Sequence, residues 1–151
     1  MKPENDYPPL QLEYFFSIPV ETVFDAWLIP KIAEKWFFKS ETNQLQFTSD
    51  PQKGGKFQMR ELSDGEIIDH WGEYLEINKP NKLVFTLEVP KHFKGISTVT
   101  VEIEKNDTGC VLRLTQSGID TSKTKSNWED MLKNLKKLLE DNFNISGFNL
   151  N

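Results

Sequence analysis

Residues 10–37 read LQLEYFFSIPVETVFDAWLIPKIAEKWF, and the hydrophobic period changes partway through them. Leu10, Leu12, Tyr14, Phe16 and Ile18 fall on every second position with Gln11, Glu13 and Ser17 between them, the pattern of a half-buried strand. After Pro19 the residues Val20, Val23, Phe24 and Trp27 are spaced as one face of a helix, with Glu21 and Asp25 opposite. Pro30 ends that helix and opens a second over 30–37, where Ile32, Ala33, Trp36 and Phe37 share a face. A strand followed by two short helices is expected.

Beyond them the spacing predicts six more strands, at 44–48, 56–62, 66–77, 83–89, 97–104 and 110–116. Asp64-Gly65 is a hairpin signal, and Asn106 to Gly109 is a second turn. Consecutive hairpins make the sheet antiparallel. In 66–77 the phase is mixed: Ile67, Trp71, Leu75 and Ile77 argue for one inward face, Ile68, His70 and Tyr74 for the other. A bulge near Gly72 would reconcile them. The last element begins at a capping box, Ser126 to Glu129, and carries Trp128, Leu132, Leu135, Leu139 and Phe143 along one helical stripe. Lysines fill the rest of its circumference, so it reads as a core helix laid on the sheet.

A length of 151 residues suits one domain with a core that needs neither disulfide nor metal. We assign 1–9 to an N-terminal extension, 10–143 to the domain and 144–151 to a tail. A net charge of -5, with basic clusters interrupted by acids, argues against nucleic acid as the main partner. The single Cys110, in phase with Leu112 and Leu114, reads as a small buried apolar residue, and a reducing, cytoplasmic setting is expected. No apolar run reaches the ~20 residues of a membrane span, so no membrane insertion is expected. The N-x-S/T triplets at Asn106 and Asn144 read as chance in that setting. With 11 Phe and 4 Trp the core is either wide or wraps a ring-walled cavity.

The segments at 18–37, GGKFQMRE at 54–61, HWGEYLEINKPNKLVFT at 70–86, VLRLTQSGI at 111–119 and SNWEDMLKNLKKLLE at 126–140 together resemble the Activator of Hsp90 ATPase homologue 1-like family. That family lies in the START/Bet v 1-like superfamily. The resemblance implies an α+β helix-grip fold, a seven-stranded curved antiparallel sheet around a long C-terminal helix, with two short helices after the first strand. Domains of this kind bind apolar molecules between sheet and helix, some are cyclases or hydroxylase-like enzymes, and one branch stimulates Hsp90. Only nine residues precede the first strand here, so a co-chaperone role ranks second to small-molecule binding.

Motif chemistry is sparse. There is no C-x-x-C, H-E-x-x-H or G-x-S-x-G, and Lys53-Gly54-Gly55-Lys56-Phe57 lacks the first glycine and the Ser/Thr of a phosphate loop. No metal and no cofactor is expected. The leading reading is non-enzymatic binding of a hydrophobic or aromatic small molecule. Trp36, Phe57, Met59, Phe85, Val101, Leu114, Trp128 and Leu132 would wall the cavity, and His70, Tyr74 and Gln116 would orient the ligand. Phe37 and Trp71 belong to the same aromatic group, which either lines a pocket or fills the core. Family members often carry histidine where Gln116 stands, which removes one proton-transfer candidate. A co-chaperone or other protein-interaction role is the second reading, with a chaperone as partner. An enzyme using His70 with Glu61 or Tyr74 as acid and base is the third. The expected state is a monomer or weak homodimer.

Overall fold

The computed structural model describes residues 7–146, with side chains through Asn142. The side chain of Phe143, expected to close the apolar stripe, residues 147–151 of the expected tail and residues 1–6 of the expected extension lie outside the described part.

Strand β1 (Leu10–Phe16) passes through Pro19 into helix α1 (Val20–Asp25), where the change of period places it. Pro30 stands at the start of α2 (Pro30–Ala33), where a backbone amide has no intrahelical acceptor and the hydrogen that proline lacks is not missed. This helix is shorter than the 30–37 expected. Bonded turns carry the chain on to Phe37, and Phe38, at φ 55°, takes it out of the helical path.

Strands β2 (Gln44–Ser49), β3 (Lys56–Ser63), β4 (Glu66–Asn78), β5 (Lys82–Leu87), β6 (Ser97–Asn106) and β7 (Gly109–Ser117) complete one sheet in the order β1-β7-β6-β5-β4-β3-β2. Every pairing is antiparallel. The two short helices therefore carry the chain from one edge of a curved sheet to the other. Asp64 and Gly65 both have positive φ, 52° and 77°, as the two-residue turn between β3 and β4 requires.

The mixed phase of β4 is resolved by a bulge between Tyr74 and Glu76, two residues beyond the expected place near Gly72. It lets His70 and Tyr74 point inward on one side and Ile77 pack against the core on the other. Gly72 has a different task. It faces Phe57 across the β3–β4 pair, and a Cβ there would lie 2.2 Å from the Phe57 ring and from the Thr86 carbonyl oxygen. Trp71 points to the outer face and is 40% exposed, so it leaves the aromatic group in which its strand had placed it.

Helix α3 (Lys125–Ser146) lies in the concave face and buries Trp128, Met131, Leu132, Leu135 and Leu139, while Lys133 and Lys137 remain exposed. Each such buried apolar side chain contributes about 1.5–3 kcal/mol relative to exposure. The expected capping box at Ser126 is not used. The helix starts two residues earlier, with the Thr124 carbonyl accepting from the Trp128 amide at 3.0 Å. The short 3-10 turn Thr121–Lys123, capped by Asp120, feeds the chain directly into it, and Ser126 falls inside the first turn. Among the described residues no helix is long and apolar enough to cross a membrane.

Candidate functional site

The interior that the sheet shares with α3 and the two short helices has three zones. At one end Gln116 on β7 binds protein atoms on three sides. Its amide nitrogen donates to Ser97 Oγ at 3.0 Å, and its oxygen accepts from Thr124 Oγ1 at 2.7 Å and Trp128 Nε1 at 3.0 Å. Ser97 Oγ donates onward to the Leu87 carbonyl at 3.0 Å. This network pins the start of α3 to β7, β6 and β5.

The middle zone is a box of rings. Trp27, Phe37, Phe47, Phe57, Tyr74, Leu83 and Phe85 surround a gap of about 10 Å³. Trp27 meets Trp36 edge-on at 4.7 Å, and Phe57 stands 5.2 Å from Tyr74 and 5.6 Å from Phe85. A second gap of about 10 Å³ lies among Phe38, Leu87, His92, Gln116, Trp128 and Met131. Of the sequence-predicted walls, Phe57, Phe85 and Trp128 therefore border the gaps. Trp36, Met59, Val101, Leu114 and Leu132 are fully buried core residues that border neither, and Trp36 donates its indole hydrogen to the Ala26 carbonyl at 3.0 Å.

The third zone is a cleft of about 240 Å³ between the loop after α2 and the face of α3, bordered by Phe38, Asn43, Glu61, His92, Asp130 and Met131 among others. Glu61 and His70 meet beneath it: His70 Nε2 lies 3.1 Å from Glu61 Oε1, and Glu61 Oε2 accepts from Asn43 Nδ2 at 2.8 Å. Phe38 covers the imidazole at 4.0 Å and separates the cleft from the interior. The β3–β4 register places Glu61 opposite Ile68 and Met59 opposite His70, which makes the two side chains diagonal neighbours on the inner face. Tyr74, the other acid–base candidate, stands apart from this pair in the ring box.

Burial pulls the His70 pKa down to about 4 against the opposing effect of Glu61. A neutral His70 donates through Nε2 to the carboxylate, and Nδ1 is left as a bare acceptor with no partner. A carboxylate bonded to an imidazole can accept and return a proton. The sign of the pH dependence follows from the lowered value. Between pH 6.5 and 4 the unfolded chain binds a proton that the folded chain refuses, so stability falls as pH falls through that window. We expect a loss of about 2 kcal/mol between pH 7 and pH 5 from this group. Chemical unfolding at both pH values checks it: His70→Gln should flatten the slope, and an unchanged slope contradicts the assignment.

Tyr74 and Trp27 carry the other two buried polar atoms without a partner among the described residues. Burial pushes the Tyr74 phenol up to about 12. Ser49 offsets this in part, but it stands outside hydrogen-bond geometry and leaves the hydroxyl unpaired. Cys110 is buried and its thiol is pushed up to about 11, chiefly by burial, so it is an unreactive core residue. Among the described residues no group of three or more His, Cys, Asp or Glu is placed to hold a metal ion.

Trp27, Phe38, Asn43, Phe47 and Met131 were not legible as site residues. Trp27 and Met131 sit on apolar helix faces like any core residue. Phe38 is set apart only by a positive φ that a sequence does not display.

A curved antiparallel sheet closed over one long helix, with polar groups set into its ring-lined interior, is the helix-grip class. The chain belongs to the family described as Activator of Hsp90 ATPase homolog 1-like protein, whose model matches residues 17–140. No curated protein matches the chain. Among solved structures it is similar to a Chromobacterium violaceum protein at 25% identity and a TM-score of 0.78, covering 87% of this chain and 97% of that one. It is also similar to an Activator-of-Hsp90-ATPase-like protein from Aeromonas hydrophila, at 18% identity and a TM-score of 0.76, covering 95% and 97%. A Rhizobium leguminosarum protein matches at 22% identity and a TM-score of 0.76, covering 89% and 95%. The last two establish likeness of fold alone.

Proposed function

We propose that this protein binds one small apolar or aromatic molecule between the sheet and α3. The observation that supports it is the set of three buried polar atoms without partners on the inner side: Trp27 Nε1, His70 Nδ1 and Tyr74 OH. More than nine-tenths of buried polar groups in folded proteins are hydrogen-bonded, and each exception costs about 1–3 kcal/mol. A core that served packing alone would place Phe or Leu at these positions. Phe57, Phe85 and Trp128 are the walls that border the gaps, Trp36, Met59, Val101, Leu114 and Leu132 pack behind them, His70 and Tyr74 orient the ligand, and Gln116 shapes the closed end.

The free protein is closed, because gaps of about 10 Å³ fall far below the roughly 300–1,000 Å³ of a formed ligand pocket. Binding then selects an opened state in which rings move aside. Phe38, with its positive φ and its place between cleft and interior, is the residue best set to move. Native mass spectrometry of gently purified protein, followed by denaturing extraction, should find a stoichiometric small molecule. A bare polypeptide mass that stays bare after exposure to apolar aromatic compounds counts against the proposal.

One observation favours protein interaction as a second reading. Leu62, Ile67 and Trp71 are 43%, 58% and 40% exposed on the outer face of β3 and β4, and Leu62 pairs directly with Ile67. The family description names Hsp90 activation. A pull-down with the host Hsp90 tests this: enrichment that Trp71→Ser abolishes supports it, and no enrichment and no change in ATPase rate removes it.

A further inference from the structure

Glu61 is 9% exposed, and among the described residues its only ion-pair partner is His70. That partner supplies no charge. Burial keeps the imidazole neutral near pH 7, and a second proton would sit on Nδ1, where no acceptor stands among the described residues. Asn43, which holds the other carboxylate oxygen, is neutral as well. Lys39 stands on the same rim, but its ammonium donates to the Ser40 and Asn43 carbonyls and to Asn43 Oδ1, and among the described residues it makes no ion pair with Glu61. A carboxylate so far removed from water ordinarily has a cation beside it. We propose that the cleft of about 240 Å³ above Glu61 is the seat of a cationic head group, and that the ligand class is an aromatic or apolar amine with its ammonium on the Glu61 carboxylate and its body in the interior beyond Phe38. The proposal deepens the cavity-binding reading above and rests on it.

The lining of the cleft selects that head group. The carboxylate is the end of Glu61 that reaches it, because Oε2 bonds Asn43 of the loop that forms one wall. Asp130 on the facing helix brings a second negative charge, so two carboxylates border the cleft against one ammonium, Lys39. An anion is repelled there and a cation is drawn in. Asn127 and Asn134 also border the cleft, with amide oxygens able to accept the remaining ammonium hydrogens. A metal ion fits less well, since among the described residues no group of three or more His, Cys, Asp or Glu is placed to hold one.

The place of the body also follows. Phe38, His92, Asn127 and Met131 border both the cleft and the inner gap of about 10 Å³ next to it. The cleft by itself is smaller than the roughly 300–1,000 Å³ of a formed ligand pocket, so it takes the head and leaves the rest of the molecule to the interior. Phe38 shows what that position accepts, because its own ring lies 4.0 Å from the His70 imidazole. An aromatic ring that displaces Phe38 finds the same partner, with its ammonium still beside Glu61.

The test uses phenethylamine, an ammonium at neutral pH, and phenethyl alcohol, its uncharged counterpart of the same length. Each is titrated into wild type and Glu61→Gln, with the side-chain amide signals of Asn43 followed by NMR. Wild type should bind the amine about tenfold or more tightly than the alcohol, with a shift of the Asn43 signals, and Glu61→Gln should bring the two affinities within about twofold of each other. Equal affinities in wild type, a preference that survives Glu61→Gln, or amine binding without an Asn43 shift overturns the cation assignment and leaves the cavity reading standing. Binding of neither probe overturns both. Should Glu61→Gln fail to fold, the wild-type preference and the Asn43 shift still decide.

Discussion

Trp128→Ala is expected to remove about 3–5 kcal/mol of folding stability, lower the unfolding midpoint by roughly 10 °C or more, and abolish binding of apolar probes. Three losses coincide at this residue. Its side chain is 1% exposed and packs against Phe37 at 5.9 Å and Trp27 at 6.2 Å, so truncation opens a large hole beneath α3. Its indole hydrogen bond to Gln116 disappears, and the Gln116 oxygen keeps only Thr124. The start of α3 then loses its main tie to β7. Exposed Lys133 on the same helix is the control, and Lys133→Ala should stay within about 0.5 kcal/mol of wild type. Denaturant unfolding gives the stability difference, and probe titration at a temperature where both variants are folded gives the binding difference. Equal binding by the two variants contradicts a site at this end of the helix.

The next largest effect is expected at Gly72. Alanine there would place its Cβ 2.2 Å from two carbons of the Phe57 ring and 2.2 Å from the Thr86 carbonyl oxygen. The ring can swing, but the carbonyl belongs to the β5 backbone and cannot. The ring must move toward Tyr74 and Phe85, into the gap it borders, and the β4–β5 edge must also shift. Gly72→Ala should cost about 3 kcal/mol or more and block probe binding even where the protein remains folded. A change below 0.5 kcal/mol by denaturant unfolding would show that Phe57 does not rest on Gly72.

Most of the architecture is written in local periods. The switch at Pro19, the Asp64-Gly65 turn and the stripe on α3 each follow from residue spacing and turn chemistry, and the family resemblance supplied the way they assemble. What escaped was decided by tertiary competition. Ser126-Asn127-Trp128-Glu129 is a sound capping signal, yet Thr124 is drawn to Gln116 and the preceding turn starts the helix earlier. The bulge in β4 sits between Tyr74 and Glu76, while Gly72 stays in regular pairing and lies against Phe57.

The site was legible in part for the same reason. Alternation put Glu61 in phase with Phe57 and Met59 but left the face of His70 and Tyr74 open, and the β3–β4 register decides it by bringing His70 to Glu61. Whether a buried polar atom finds a partner depends on the whole surrounding shell, and spacing along one strand does not contain that. Gln116 finds three partners, while Tyr74, beside the bulge in β4, finds none among the described residues. For the same reason spacing could not separate a lined interior from a filled one.

If the inner side keeps polar atoms for a ligand, the free protein bears a cost in stability. The unfolding midpoint of ligand-free Tyr74→Phe measures this directly. Removing an unpaired buried hydroxyl while keeping the ring should raise stability by about 1 kcal/mol and the midpoint by roughly 2–4 °C. A lower midpoint than wild type would mean that the protein itself satisfies the Tyr74 hydroxyl, and that this hydroxyl is not kept for a ligand.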